Sequence, residues 1–421
     1  MKIAIILPSA FQGGVLRSVL NVTRMLILGA RAAGATLEVS FGHPEGMRFD
    51  YNTLDALKNL GVVIRPFRRQ LIEHSKLDAY YNSFIPINGR PGSDRYIVFN
   101  DGVSNFEEVD LLLIASDHIE ADIPPHQKYG MLLYDYVQRY HPHIYNEDQW
   151  SKFPIRARVT SKADFVLTTT QQTRRDAISY AGVDPNRAFV LPIEFDAPAT
   201  LKDRSGSSPA DIHSGAEPAA RHILWPTIVS AHENHSFILD GLEHFLQKNS
   251  LKVKVTGFHT GSFDPKNKKP VLQAPHIEQV RSRIKRSSVL QRCLSFEDYV
   301  EDHEFWDLME NALCVLHSST GDNGSYTILE GAWLGTPTLS SRYPAMEEVA
   351  QAFDLRPTWF SLEDPSSLSR ALDHVFDNFA DLRSSLPSRD ALSRNRYDNL
   401  ATKYWREFSS IVKAALQGTA Q

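Results

Sequence analysis

Short apolar runs alternate with segments whose apolar residues recur at helical spacing. "KIAIILP" reads as a buried strand, followed by a glycine turn and a helix from about Val15 to Ala32. "ATLEVSFGH", "VVIRPF", "DLLLIAS", "YGMLLYDYV" and "ADFVLTTT" continue as strands bounded by helices or turns. "TTQQTRRDAISYAGVDPNRAFVLP" then reads as a capped helix, a loop and one more strand. Continuous apolar strands separated by helices predict a parallel sheet covered on both faces.

The pattern breaks at "LKDRSGSSPADIHSGAEPAARH", which is small, polar and almost without core residues, and so predicts a linker or flexible loop over 201–221. Beyond it the alternation restarts: "HILWPTIV" as strand, "NHSFILDGLEHFLQK" as helix, "LKVKVTGF" as strand, "EFWDLMENA" as helix, "LCVLHSS" as strand, "YTILEGAWLG" as helix and "TPTLSS" as strand. Two α/β domains follow, over 1–200 and 222–396, with a terminal amphipathic helix over 397–416. Open parallel sheets bind ligands beyond the carboxyl ends of their strands, and two such sheets facing each other predict a cleft for two substrates.

Composition narrows this little. The chain has 421 residues, 42% hydrophobic and 23% charged, ordinary for globular domains. A net charge of −5 with both signs interspersed does not argue for a nucleic-acid partner. Cys293 and Cys314 lack metal-ligand spacing and cannot build a disulfide framework, so a reducing compartment is the simplest expectation. No apolar run reaches the roughly 18 residues that span a bilayer, and "MKIAIILPSAF" reads as a first strand rather than a signal peptide. A cytoplasmic protein is expected. The basic stretches "RPFRRQ" and "RSRIKRSSVLQR" read as solvated faces, or as surfaces for an anionic or lipid-linked acceptor at the inner face of a membrane.

The densest chemistry lies in "HSSTGDNGSYTILEGA". A strand ends near His317, and a helix starts around Tyr326 after Gly321 and Gly324. Such a helix start presents backbone N–H groups suited to phosphate, and Gly324, Ser325, Tyr326 and Thr327 line it. Glu330, about one turn in, is placed to accept sugar hydroxyls, and Asp322 can reach a second polyhydroxyl group. The plain alternative is capping: Asp322, Ser325 or Thr327 caps the helix, and Glu330 favours its dipole. No Walker-type lysine and no GxGxxG is present. Gly13 and Gly14 at the first turn let backbone approach a ligand closely, or form an ordinary tight turn. Asp135, after its strand, is a ligand group or a turn cap. His118, His141, His143 and His303 are scattered without metal spacing, and Trp333 reads as core.

"DNGSYTILEGAWLGTPTLSSRYPAMEEV" resembles the signature of the GT-B glycosyltransferases of family four: two acids separated by seven residues, then G-T-P-V-V-A-S and P-x-x-x-E. Glu330 matches the second acid, Asp322 stands for the first, and Gly335-Thr336-Pro337 match the turn. "ILWPTIVSAHENHSFILDGLEHF", "SFEDYVEDHEFWDLMENALCVLHSS", "SKADFVLTTTQQTRRDAISYAGVDPNRAFVLP", "YDYVQRYHPHIY" and "GGVLRSVLNV" are similar to further segments of that family, in order. The resemblance implies two Rossmann-like doubly wound domains facing a central cleft. It also implies transfer of a hexose or deoxyhexose from a nucleotide diphosphate sugar to a glycan or lipid-linked acceptor. Transfer would retain anomeric configuration, need no metal or cofactor, and serve surface polysaccharide synthesis.

By position, the resemblance makes Asp135, Asp322 and Glu330 the catalytic candidates. It makes Gly14, His232, Asn234, Gly324, Ser325, Tyr326, Thr327 and Glu330 donor-side, and Gly13, Tyr134 and Asp135 acceptor-side. The chain departs from the pattern in "SAHENH", where His232 and Glu233 replace an Arg–Lys pair that neutralises diphosphate. Another cation (Lys252, Lys254, Arg17 or Arg342) would then have to serve. It departs again at Tyr134, where relatives carry histidine. Two other readings stay open: a non-catalytic glycan-binding subunit with a degenerate donor site, and a sugar-nucleotide epimerase of the same fold.

Overall fold

The computed structural model describes residues 1–49, 53–77, 94–196 and 221–417. Residues 201–220 of the linker, and 82–93 of the segment "NSFIPINGRPGSDRY", lie outside the described residues. The chain divides into two compact units, Met1–Phe195 with Asn395–Gln421, and Asp196–Arg394.

The first unit carries β1 (Lys2–Ile6), β2 (Glu38–Pro44), β3 (Val63–Glu73), β4 (Arg95–Asn100), β5 (Leu111–Ala115), β6 (Tyr129–Leu133), β7 (Phe165–Thr168) and β8 (Ala188–Val190). They form one sheet in the order β4-β3-β2-β1-β5-β6-β7-β8. Every residue of β5, β6 and β7 is buried, as expected of strands covered on both faces. The exception to parallel pairing is β3, which runs on past "VVIRPF" to pair antiparallel with β4. Mostly exposed, that extension bears arginines, and Arg68 pairs with Glu45 while Arg65 reaches Asp101 and Glu108. The first helix starts at Gly13, two residues earlier than the periodicity predicts, because apolar spacing cannot register glycines.

The terminal helix, Tyr397–Gln417, belongs to this unit and packs on the helix Gly13–Ala32. At the crossing, a Cβ on Gly29 would overlap the carbonyl oxygen of Ala401 and the Cβ of Trp405. Leu400, Tyr404, Trp405, Phe408 and Val412 enter the same core as Val19, Val22 and Leu26.

The second unit holds β9 (His222–Pro226), β10 (Lys252–Thr256), β11 (Leu294–Asp298), β12 (Ala312–His317), β13 (Thr338–Ser341) and β14 (Thr358–Phe360). All pairs are parallel, in the order β11-β10-β9-β12-β13-β14. β11 and β14 fall in segments read as neither strand nor helix: both are short and partly exposed edge strands. Counted within the unit, the order is 3-2-1-4-5-6, that of dinucleotide-binding sheets, and the connection reverses between β9 and β12. The first unit repeats it as β3-β2-β1-β5-β6-β7, reversing between β1 and β5. At such a reversal neighbouring loops diverge to opposite faces and leave a crevice at the carboxyl ends.

Candidate functional site

In the second unit, the loop after β12 leads into the helix Tyr326–Trp333 beside the reversal. Residues 320–327 are all partly exposed, and burial resumes at Ile328. Ser325 is the N-cap, its Oγ accepting from the Thr327 N–H at 3.2 Å. Gly324 takes φ +90°, open to glycine alone at little cost, and a Cβ there would overlap Val349. Asp322 shapes the turn. Its Oδ1 accepts from the Gly324 N–H at 2.7 Å and from the Tyr343 hydroxyl. Tyr343 spends its one proton on Asp322, so the His317 Nε2 at 2.8 Å donates to the phenol oxygen. Burial pushes the His317 imidazole below its ordinary value, against the opposing charge of Asp322. Glu330 is only 2% exposed, deeper than a position one turn into an open helix end suggests.

The loop after β9 meets this loop across the reversal. Thr320 donates to the His232 carbonyl from both its N–H (2.9 Å) and its Oγ1 (2.8 Å). His232 Nδ1 lies 2.7 Å from Ser230 Oγ, and its Nε2 lies 3.5 Å from Glu233 Oε1. Glu233 Oε2 accepts from Ser318 Oγ at 3.2 Å and from Thr227 Oγ1 at 3.5 Å. Asn234, at φ +52°, makes the left-handed step from this turn into the helix His235–Lys248, and no side-chain bond caps that helix.

Further along the carboxyl edge, Phe258 follows β10 and Tyr299 follows β11. Their rings stack at 4.8 Å and 23°, and each is about 40% exposed (39% and 40%).

The first unit presents its own reversal. Gly13 takes φ +62° at the start of its helix, with Gly14 next to it. Ser116, directly after β5, is held at φ +115°, a strained value for a residue with a side chain. Its Oγ accepts from the His118 N–H at 3.2 Å. Burial pushes Asp117 upward against the pull of Arg156, and pushes His118 down to about 4. The His118 ring lies 5.0 Å from Phe11 in the loop after β1. Asp135 Oδ1 accepts from the Val137 N–H at 3.3 Å.

Sequence similarity to known proteins gives nothing: no family description matches the chain, and no curated protein matches it. Solved structures do match. The chain is similar to HepE of Anabaena, solved with UDP and glucose, at 14% identity and TM-score 0.65, over 98% of this chain and 100% of that one. It is similar to WaaG, a glycosyltransferase of lipopolysaccharide biosynthesis, at 13% and 0.55, with both chains fully covered. Sucrose-phosphate synthase of Thermosynechococcus elongatus matches at 11% and 0.60, over 98% and 100%. Together with the two doubly wound sheets, these matches decide the architecture. The fold is GT-B.

Within the GT-B fold, Asp322, Gly324, Ser325, Tyr326, Thr327, His232 and Asn234 gather on the two loops beside the β9/β12 reversal. Tyr134 lies deeper than an acceptor-side position suggests. It is 8% exposed and part of the core, with its hydroxyl pushed far above its ordinary value by burial, because its strand is covered on both faces. Two of the substitute cations are engaged: Arg342 donates to Glu347 at 2.6 Å, and Lys252 to the Arg292 carbonyl at 2.8 Å. Of "RSRIKRSSVLQR", Arg281 is buried on the carbonyls of Ser262, Asp264 and Asn267. Periodicity gives no signal for Ser318, Thr227, Tyr343, or the Ser116–His118 turn, and spacing gives none for the Phe258–Tyr299 pair. Among the described residues, no group of three or more His, Cys, Asp or Glu is placed to hold a metal ion, and no helix is long and apolar enough to cross a membrane.

Proposed function

We propose that the chain is a retaining glycosyltransferase. It moves a hexose or deoxyhexose from a nucleotide diphosphate sugar to a glycan or lipid-linked acceptor, in the synthesis of a surface polysaccharide. One observation carries this reading: the glycine-bearing tip 320–327 stays partly exposed at the carboxyl end of β12, beside the reversal of the sheet. The departing diphosphate docks on amides of that tip, where the helix dipole stabilises developing negative charge. His232 adds a donor from the facing loop, and Glu330 receives hydroxyls of the nucleotide's ribose. The Phe258–Tyr299 pair offers an aromatic face to the base.

In this scheme the protein supplies placement and charge compensation rather than a resident metal. Asp135 and the Gly13–Gly14 turn serve the acceptor in the first unit. HepE was solved with UDP and glucose, and UDP donors are therefore the first to try. Donor hydrolysis is measured over UDP-, GDP- and ADP-sugars, with the parent and Glu330→Ala compared side by side. Hydrolysis of one donor by the parent, and its loss in the variant, supports the reading. Equal rates in both remove Glu330 from the site. A second reading, a non-catalytic subunit of the same fold, is favoured by Glu233 standing where the resemblance has a lysine. Failure of every nucleotide diphosphate to raise the melting temperature selects that reading.

A further inference from the structure

The loop after β12 is held from the neighbouring strand end. Ser341, the last residue of β13, donates its hydroxyl proton to the Ser319 carbonyl, and Tyr343, two residues on, donates to Asp322 Oδ1. Tyr343 is 6% exposed and is the N-cap residue of the helix Pro344–Ala352, so packing fixes its ring independently of the tip. His317, the last residue of β12, fixes the hydroxyl. Its Nε2 stands 2.8 Å from the phenol oxygen, and a phenol has one proton to give, so the histidine N–H directs that proton to Asp322.

Asp322 carries the constraint into its own loop. The same Oδ1 accepts from the Gly324 N–H at 2.7 Å. A partly exposed carboxylate with one local bond can turn about its last torsion and trade oxygens with solvent. A second donor, fixed by the fold, removes that freedom and sets the direction of Oδ1. Gly324 is then kept at φ +90° against Val349 of the helix that Tyr343 opens. The run His317–Tyr343–Asp322–Gly324 begins at two buried side chains and ends at the partly exposed turn before the helix Tyr326–Trp333. That turn aims the first amides of the helix. Both printed bonds fall on one oxygen of Asp322, so the carboxylate is committed to the loop on that side.

We propose that Tyr343, oriented by His317, is a positioning residue of the donor site, and that Asp322 serves the diphosphate by holding the Gly324 turn rather than by meeting the sugar. This rests on the donor reading above for the identity of the ligand.

The test measures UDP and inorganic pyrophosphate binding to full-length protein by calorimetry. Tyr343→Phe keeps the ring and removes the hydroxyl. It should weaken both ligands by the same factor, about threefold to tenfold, the scale of one hydrogen bond. Asp322→Asn, whose amide oxygen still accepts both bonds, should stay within about twofold of the parent, whereas Asp322→Ala should lose at least as much as Tyr343→Phe. Because the two residues act in series, the double variant Tyr343→Phe/Asp322→Ala should bind no more weakly than Asp322→Ala alone. Additive losses in the double variant overturn the proposal. So does a loss in Asp322→Asn as large as that in Asp322→Ala, or a loss in Tyr343→Phe confined to UDP.

Amide hydrogen exchange without nucleotide separates this idea from the donor reading. Tyr343→Phe should speed exchange in the peptide spanning 320–327 by about threefold to tenfold and leave the first unit at the parent's rates. Exchange of that peptide at the parent's rate overturns the proposal. If the parent binds neither UDP nor pyrophosphate, the donor reading fails, and the exchange comparison alone decides whether Tyr343 holds the tip.

Discussion

Two side chains at the second unit's carboxyl edge make separable predictions. Glu330 is 2% exposed, so its isostere Glu330→Gln preserves packing while removing charge. A hydrogen bond to a charged group contributes about 1.5–3 kcal/mol, so UDP should bind roughly tenfold to a hundredfold more weakly in titration calorimetry. Tyr299 tests the base platform. Stacking on an aromatic ring is worth about 1–3 kcal/mol by truncation, so Tyr299→Ala should weaken UDP by about fivefold or more. It should leave affinity for inorganic pyrophosphate unchanged, because that ligand carries no base. A loss shared by both ligands would place Tyr299 in the fold's support rather than against a base.

Elements meet at two glycines whose replacement distinguishes packing from backbone strain. Gly29 sits where the helix Gly13–Ala32 crosses Tyr397–Gln417, against the backbone of Ala401. Backbone cannot yield as a flexible side chain can, so Gly29→Val should lower stability by about 1–3 kcal/mol, read as a fall in the urea midpoint. Gly324 combines its positive φ with an overlap on Val349 Cγ2. A left-handed residue bearing a side chain costs about 1–2 kcal/mol, and the overlap adds to it. Gly324→Ala is therefore expected to weaken UDP and lower the melting temperature. Adding Val349→Ala should restore the part due to overlap and leave the part due to φ. Full restoration would mean that the turn tolerates the strain.

Across the whole chain, buried histidines set the acid limit. His118 in the first unit is pushed down to about 4, His222 in the second to about 4 and His235 to about 3, burial being the largest cause in each. Their folded-state values lie below the ordinary 6.5, so the stability of the neutral forms is present above pH 6.5. It is lost as pH falls toward 4, since unfolding then takes up protons the folded chain refuses. Each proton contributes at most about 1.4 kcal/mol per pH unit. Denaturant midpoints should decline from pH 6.5 to 4, and His235→Gln should flatten part of that decline. A midpoint constant over the window counts against neutral buried histidines. Glu233 tilts stability in the opposite sense between 4.5 and about 8, so the two signs are separable by variant.

The chain's own order of residues determined the alternation of elements. Continuous apolar runs such as "DLLLIAS" and "LCVLHSS" have one stable home, a parallel strand covered on both faces, and helical spacing of apolar residues placed the helices that cover them. It also placed the glycine-bearing tip before Tyr326, because helix starts have local chemical signatures. The edge strands β4, β11 and β14 escaped it: β11 and β14 are short and half-exposed, and an edge strand is defined by its neighbour's hydrogen bonds more than by its own pattern. Only the folded chain decided which loops meet across the β9/β12 reversal, for strand order is a property of the sheet. It also turned the side chain of Tyr134 into the core, and it surrounded Glu233 with Ser318, Thr227 and His232. Read in sequence, Glu233 is an anion where a cation is wanted; folded, burial and the charge of Asp322 push its carboxyl up to about 8. Charge depends on surroundings, and those are assembled from residues far apart in the chain.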